Sequence, residues 1–250
     1  MVTAEFTVRT LDHALHSGMY GGPVLDAVTC AARLVATLHD ADGAVAVRGL
    51  ASYDDATAEY AEEDLRADTG LLDGVRLTGR GSIASRLWTQ PSLTVIGMDV
   101  TSTAEASNTL IPACTVRLSL RVAPGQDPGE AAQALVRHLE ENAPFGARVE
   151  ASVEETGPAF KAAGDSPAAS AGRWALARAW GRPPVDIGVG GSIPFIADLH
   201  DAFPEADILV TGVEDPDTRA HSQNESLHLG DWRNAILAEA LLLSRLAGQA

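Results

Sequence analysis

Residues 114–124, CTVRLSLRVAP, alternate so cleanly that they read as a strand with one buried and one wet face. Val116, Leu118, Leu120 and Val122 fall on one side, and Arg117, Ser119 and Arg121 on the other. The rest of residues 1–155 supplies the parts of a sheet. TAEFTVRTL (3–11) and ARVEASVEE (147–155) alternate in the same way, and SLTVIGMDV (92–100) is a further strand. PVLDAVTCAARLVATLHD (23–40) opens on Pro and has helical apolar spacing. DPGEAAQALVRHLEENAP (127–144) has Asp127 as N-cap, Pro at the first helical position and Glu at the third. The order strand, helix, strand, strand, helix, strand predicts an α+β domain, an antiparallel sheet with two helices. The intervening stretch 50–90 reads as irregular, and its acidic run 54–68 as a solvated helix face.

After residue 156 the pattern changes. Helix 166–181, strand VDIGVG (185–190), helix 192–203, strand DILVTGV (207–213) and a terminal helix containing AILAEALLLSRLAG (235–248) make an α/β alternation. These strands are apolar on both faces, as in a parallel sheet covered twice. Two such strands cannot bury their helices. Residues 156–250 therefore read as an incomplete α/β domain.

At 250 residues, 46% hydrophobic and 21% charged, the chain can build a real core. The terminal helix carries Glu239 and Arg245 and is too short to span a bilayer, so no membrane partner is expected. MVTAEFTVRT has neither a basic start nor an apolar core, so it is no secretory signal. Cys30 and Cys114 sit inside apolar runs and read as buried free thiols of a reducing cytoplasm. A net charge of −16 argues against nucleic acid, whose phosphates would be repelled.

Four stretches hold groups that can do chemistry. RAHSQNESLHLGD (219–231) puts an imidazole, two amides and a carboxylate in one loop. Zinc needs a neutral imidazole whose tautomer is fixed, often by a carboxylate behind it, and His221 with Glu225 offers both. No His-x-Asp or H-E-x-x-H partner exists in the sequence. HSGMYGG (16–22) sets His16 beside glycines suited to tight turns; His16 either donates to an anionic atom or decorates a loop. In GVGGSIPF (188–195), Ser192 reads as a helix N-cap, with free amides that suit a carboxylate or simply close a turn. SNTLIPACTVRLSLRVAPG (107–125) offers Asn108, Thr109 and Arg121, an arginine able to fork onto a carboxylate or to stay solvated. His13, His39, His138, His200 and His228 have no motif context and read as surface or structural.

Taken together, DHALHSGMYGG, SNTLIPACTVRLSLRVAPG, GVGGSIPF and DPDTRAHSQNESL, in that order, resemble the di-zinc aminoacylase/carnosinase family of metallopeptidases, which includes bacterial dipeptidases. The resemblance implies that 1–155 is a lid, or dimerisation, domain and 156–250 the C-terminal part of an α/β catalytic domain. It implies that His16 reaches across a dimer to polarise a scissile carbonyl or stabilise its oxyanion. Thr109 and Arg121 become substrate-binding positions, with Asn108 the alternative to Thr109. Ser192, with the amides around Gly190 and Gly191, becomes part of a carboxylate pocket, and His221 the last zinc ligand. In the family the other ligands and the general-base Glu precede the lid, and this sequence begins at the first lid strand. Carnosinase-like members also carry a His near Ser166 and a Glu near Val189, which this sequence lacks.

These features imply a piece of a zinc-dependent dipeptidase or amidohydrolase that would act on small peptides or N-acyl amino acids and form a homodimer through its lid. Two zinc ions would complete the enzyme, with at most one ligand in this chain, so the chain by itself is expected to be inactive. The alternative is a non-catalytic dimerisation or interaction module, because an unpaired lid edge favours strand pairing.

Overall fold

The computed structural model describes residues 1–250 except 161, 163, 189–193, 216, 221, 249 and 250. Its strands are β1 (Val2–Arg9), β2 (Leu15–His16), β3 (Ser92–Met98), β4 (Thr109–Leu110), β5 (Ala113–Arg121) and β6 (Arg148–Thr156). Its helices are α1 (Ser17–Tyr20), α2 (Ala27–Ala36), α3 (Glu62–Thr69), α4 (Ile83–Trp88), α5 (Pro128–Glu141), α6 (Pro167–Trp180), α7 (Pro194–Ala202) and α8 (Leu229–Leu246). They divide into two compact units. The first holds Met1–Thr57, Leu77–Phe160 and Gly188–Pro194, and the second Ala58–Arg76, Lys161–Ile187 and Phe195–Ala250.

In the first unit the alternating segments pair as an antiparallel sheet of order β3-β5-β1-β6. With α2 and α5 as crossovers this is the βαββαβ, ferredoxin-like arrangement. Val2, Ala4, Phe6 and Val8 of β1 and Val116, Leu118 and Leu120 of β5 are completely buried on one face. Ala31 and Leu34 of α2 and Leu135 and Leu139 of α5 close over them in one core. Cys30 and Cys114 lie in that core as free thiols. The opposite face is polar and ordered across strands. Arg117 of β5 reaches Glu5 of β1 at 3.2 Å and Glu154 of β6 at 2.9 Å, and the Thr7 and Thr115 hydroxyls meet at 2.9 Å. Each such cross-strand pair contributes about 0.2–1 kcal/mol.

Local signals set the helix ends. The Asp127 carboxylate accepts from Glu130 N at 2.8 Å, with Pro128 in the first turn, as its sequence predicts. α2 starts at Ala27, four residues past the expected Pro23, because Asp26 takes the cap and accepts from Thr29 N at 3.0 Å. Within the acidic run only Glu62–Thr69 is helical.

The second unit departs from the expected α/β alternation. α6 is capped by Ser166 and ends at Gly181 in the left-handed conformation that a side chain resists (φ 69°). α6 and α8 run antiparallel: Trp180 Nε1 donates to Asp231 at the start of α8, and Arg245 near its end lies 4.4 Å over the Trp174 ring. Residues 185–188 and 207–213, expected as strands, have no regular secondary structure and belong to no sheet among the described residues. A strand exists only as part of a ladder, and among the described residues neither segment has a ladder partner. No parallel pairing is therefore present among the described residues.

His138 of α5 joins the two helices. Its Nε2 lies 2.9 Å from the Thr37 hydroxyl at the end of α2. Burial pushes its imidazole below the ordinary 6.5, against smaller opposing effects of Thr37 and Glu141. Folding thus disfavours its protonation, so this contribution is full above the unfolded value of 6.5 and is lost as pH falls toward the folded one. Urea unfolding between about pH 7.5 and about pH 5.5 should show a falling midpoint, and His138→Gln should flatten that slope. A wild-type midpoint that is flat or rises on acidification would contradict this.

Candidate functional site

One end of the first unit carries a two-residue ladder in which Leu15 pairs with Leu110 and His16 with Thr109. Residues directly opposite in an antiparallel pair project on the same side, with Cβ atoms about 5 Å apart. The sequence thus brings two of its candidate residues, 93 positions apart by their numbers, to one surface. Both are exposed. Leu110 anchors the ladder, being 7% exposed.

Each of the two side chains is held locally. Ser107 O accepts from Thr109 N at 2.7 Å, and the Ser107 and Thr109 hydroxyls lie 2.8 Å apart. Asn108 contributes its carbonyl, which accepts from Ser17 N at 2.9 Å and ties the turn after His16 to the segment before β4. The His16 imidazole leans over Gly18: a Cβ at position 18 would lie 2.9 Å from His16 Cε1 and 3.2 Å from its Nδ1. Glycine leaves room for the ring there, and a side chain would push the ring aside. An exposed imidazole and hydroxyl on one side can donate to a carbonyl or oxyanion oxygen placed between them.

Arg121 is not part of this cluster. It ends β5 opposite Ser92 of β3, half-buried, with Nη1 3.2 Å from Met1 Sδ. The nine residues of β5 carry it about 27 Å from the ladder end. Gly191, Ser192 and His221 lie outside the described residues.

The loop around position 221 is nevertheless shaped. The buried Thr218 hydroxyl accepts from Asp215 N at 2.9 Å, its carbonyl accepts from Ser226 N at 3.0 Å, and Ser222 N donates to Arg219 O at 2.9 Å. Arg219 (φ 55°) and Asn224 (φ 59°) are left-handed, which Asn tolerates and Arg resists. Such strained residues gather at functional sites. Just beyond, His228, read from the sequence as surface or structural, is both. It occupies the N-cap of α8, with Nδ1 2.7 Å from Asp231 Oδ2. The Trp180 indole N–H, then the His228 ring, hold the Asp231 carboxyl below the usual carboxylate range. Among the described residues no three His, Cys, Asp or Glu side chains converge as a metal cage. The described set therefore does not fit a metal centre, and no catalytic step through a metal follows from it. Among the same residues no helix is long and apolar enough to cross a membrane.

The sequence profile of the Peptidase dimerisation domain matches residues 3–147. A cysteinylglycine-S-conjugate dipeptidase from Corynebacterium striatum is 32% identical over 247 residues, 96% of this chain and 53% of that protein. The Cys-Gly metallodipeptidase DUG1 of Saccharomyces cerevisiae is 25% identical over 92% of this chain and 50% of its own length. The chain thus spans about half the length of the curated relatives it matches. In fold it is similar to the solved dipeptidase Dug1p from Saccharomyces cerevisiae, with a TM-score of 0.80 at 21% identity over 97% of this chain and 53% of that one. Human carnosine dipeptidase 1 gives a TM-score of 0.80 at 18% identity, over 99% and 55%.

The contact between Gly18 and the His16 ring is testable alone. Gly18→Ala should shift the His16 ring resonances in NMR spectra while changing stability by less than about 1 kcal/mol. Unmoved His16 resonances would show that the ring does not rest on Gly18.

Proposed function

Because the chain belongs to the dipeptidase-like M20 metallopeptidase family, we propose that it forms part of a zinc-dependent hydrolase cleaving amide bonds of small peptides or N-acyl amino acids. In this reading residues 1–155 are the lid and dimerisation domain, and 156–250 the C-terminal part of the catalytic domain. The pairing of His16 with Thr109 is the observation that carries it. His16 donates to the developing oxyanion, and the Thr109 hydroxyl holds the substrate beside it. Asn108 serves through its carbonyl, so the geometry favours Thr109 as the side chain that meets substrate. Arg121 forks onto a substrate carboxylate, with Gly191 and Ser192 completing that pocket. His221 is assigned as a zinc ligand; the remaining ligands and the water-activating base are assigned to residues this sequence does not contain. The buried free thiols of Cys30 and Cys114 favour a reducing, cytoplasmic setting.

The same geometry supports a homodimer. His16 and Thr109 sit at one end of β5 and Arg121 at the other, so one copy does not bring all three to one substrate. Two copies do so if the ladder end of each serves the Arg121 end of its mate. The sheet edges favour such pairing through β3. β6 is guarded by Arg148, Glu150, Glu154 and Glu155, whereas β3 (SLTVIGM) has no charge and exposes Val95 and Ile96, the latter by 55%. The runner-up reading, a non-catalytic dimerisation module, rests on this edge and on the profile match alone.

Sedimentation should give a dimer, and Ile96→Lys should shift it to monomer without unfolding the chain. An unchanged dimer would move the interface elsewhere. The purified chain, supplied with zinc and tested on Cys-Gly and on N-acyl amino acids, should hydrolyse neither above the rate of its His16→Ala variant. Zinc-dependent turnover by the chain alone would overturn this division of labour.

A further inference from the structure

In the first unit a cavity of about 410 Å3 opens between α5 and the hairpin that follows α2. The bridge between His39 and Val45 closes the hairpin, and Ala46 N donates to Leu38 O at 2.8 Å. Gln126 pins the outgoing arm: its Nε2 donates to Gly49 O at 2.8 Å, and its Oε1 accepts from Ala51 N at 2.9 Å. The cavity exists because both walls are thin where they face each other. Ala46 and Ala134 present only methyl groups there, and Arg137, His138, Glu141 and Asn142, which follow Ala134 on one face of α5, stand around the space.

The rim carries charge that the chain itself does not use. Arg48 on the hairpin and Arg137 on α5 both line the cavity and are exposed, and neither makes a hydrogen bond or ion pair with a described residue. Glu141, one helical turn beyond Arg137, is unpaired in the same way. In a chain of net charge −16, two guanidiniums beside one carboxylate make a local excess of positive charge. The neutral groups are fixed. Asn142 Nδ2 donates to His138 O at 2.8 Å, which leaves its Oδ1 as the open end of the amide. The Thr37 hydroxyl gives its one hydrogen to Leu34 O at 2.7 Å, so it accepts from His138 Nε2 at 2.9 Å. That assigns the imidazole proton to Nε2 and leaves Nδ1 an acceptor with no partner among the described residues.

We propose that this cavity binds a small zwitterion, the free carboxylate and free ammonium of an amino acid or short peptide. Arg48 and Arg137 fork onto the carboxylate, and Glu141 with His138 Nδ1 accepts from the ammonium. A bare anion would be repelled by Glu141 and a bare cation by the two arginines, whereas a molecule carrying both charges satisfies each group. Arg137 and Glu141 are about 6 Å apart along the helix axis. The charged ends of an extended dipeptide lie about 7 Å apart, while those of an amino acid sit on one carbon, so the spacing favours the peptide. The volume is that of a small-ligand site. None of these residues belongs to the proposed catalytic assembly, so the site stands or falls apart from the hydrolase reading.

The test titrates the 250-residue chain with Gly-Gly and with glycine to about 10 mM, following the imidazole nitrogens of His138 by NMR. At least one of these zwitterions should give a saturable shift at His138 Nδ1, and the tighter of the two identifies the source. N-acetylglycine keeps only the carboxylate and glycinamide only the ammonium, and each should bind at least about tenfold more weakly. Arg137→Gln and Glu141→Gln, both at exposed positions, should leave circular dichroism unchanged and weaken binding at least about tenfold. Arg148→Gln, an exposed change on β6, should bind like the unaltered chain. No saturable shift with either zwitterion would overturn the proposal. So would N-acetylglycine or inorganic phosphate binding as tightly as the better zwitterion, or binding that survives Arg137→Gln undiminished.

Discussion

β1 is hydrogen-bonded along both edges, to β5 on one side and β6 on the other, and its inner side chains from Val2 to Val8 are shut beneath two helices. Those two facts arrange the rest of the first unit. Because β1 is central, β5 is held in register and its alternation puts Leu118 and Leu120 into the same core. Because β5 is held, the short ladder before it fixes His16 against Thr109, and its far end fixes Arg121. The polar side of the sheet adds pairs such as Arg117 with Glu5 and Glu154, exposed enough that each adds little by itself. The buried face supplies the stability, and the wet face supplies register.

What can be read from the sequence follows from how local each determinant is. The alternation of 114–124 and the cap at Asp127 are signals a few residues long, and both correspond to what forms. The start of α2 is displaced because two local signals compete there, Pro23 and Asp26, and the aspartate makes the hydrogen bond. The strands expected at 185–190 and 207–213 have the right composition, but a strand is defined by its neighbour, and no neighbour meets the described parts. At the candidate site, His16 and Thr109 are each visible as residues in suggestive loops, but their opposition across a ladder is tertiary. The same holds for Ser107 beneath Thr109, Gly18 beneath His16 and His228 at the head of α8. No spacing rule in the sequence announces those contacts.

The contrast between the two units ties fold to function. The first unit satisfies its own backbone and buries its own apolar face, so it can present a histidine and a hydroxyl on a rigid edge. The second has helices capped in the ordinary way and packed against one another, yet among the described residues 207–213 make no backbone hydrogen bond and α8 exposes Leu229, Trp232, Ile236 and Leu243. The chain belongs to a metallopeptidase family and spans about half the length of its matched relatives, and the profile match, residues 3–147, falls on the unit that carries the sheet.

Native-state hydrogen exchange on the chain by itself puts this contrast to the most direct test. Amides of β1 and β5 should exchange only through global unfolding, while those of 207–213 exchange at nearly the rate of an unstructured peptide. Protection of 207–213 equal to that of β1 would contradict it, because the backbone of that segment would then be paired.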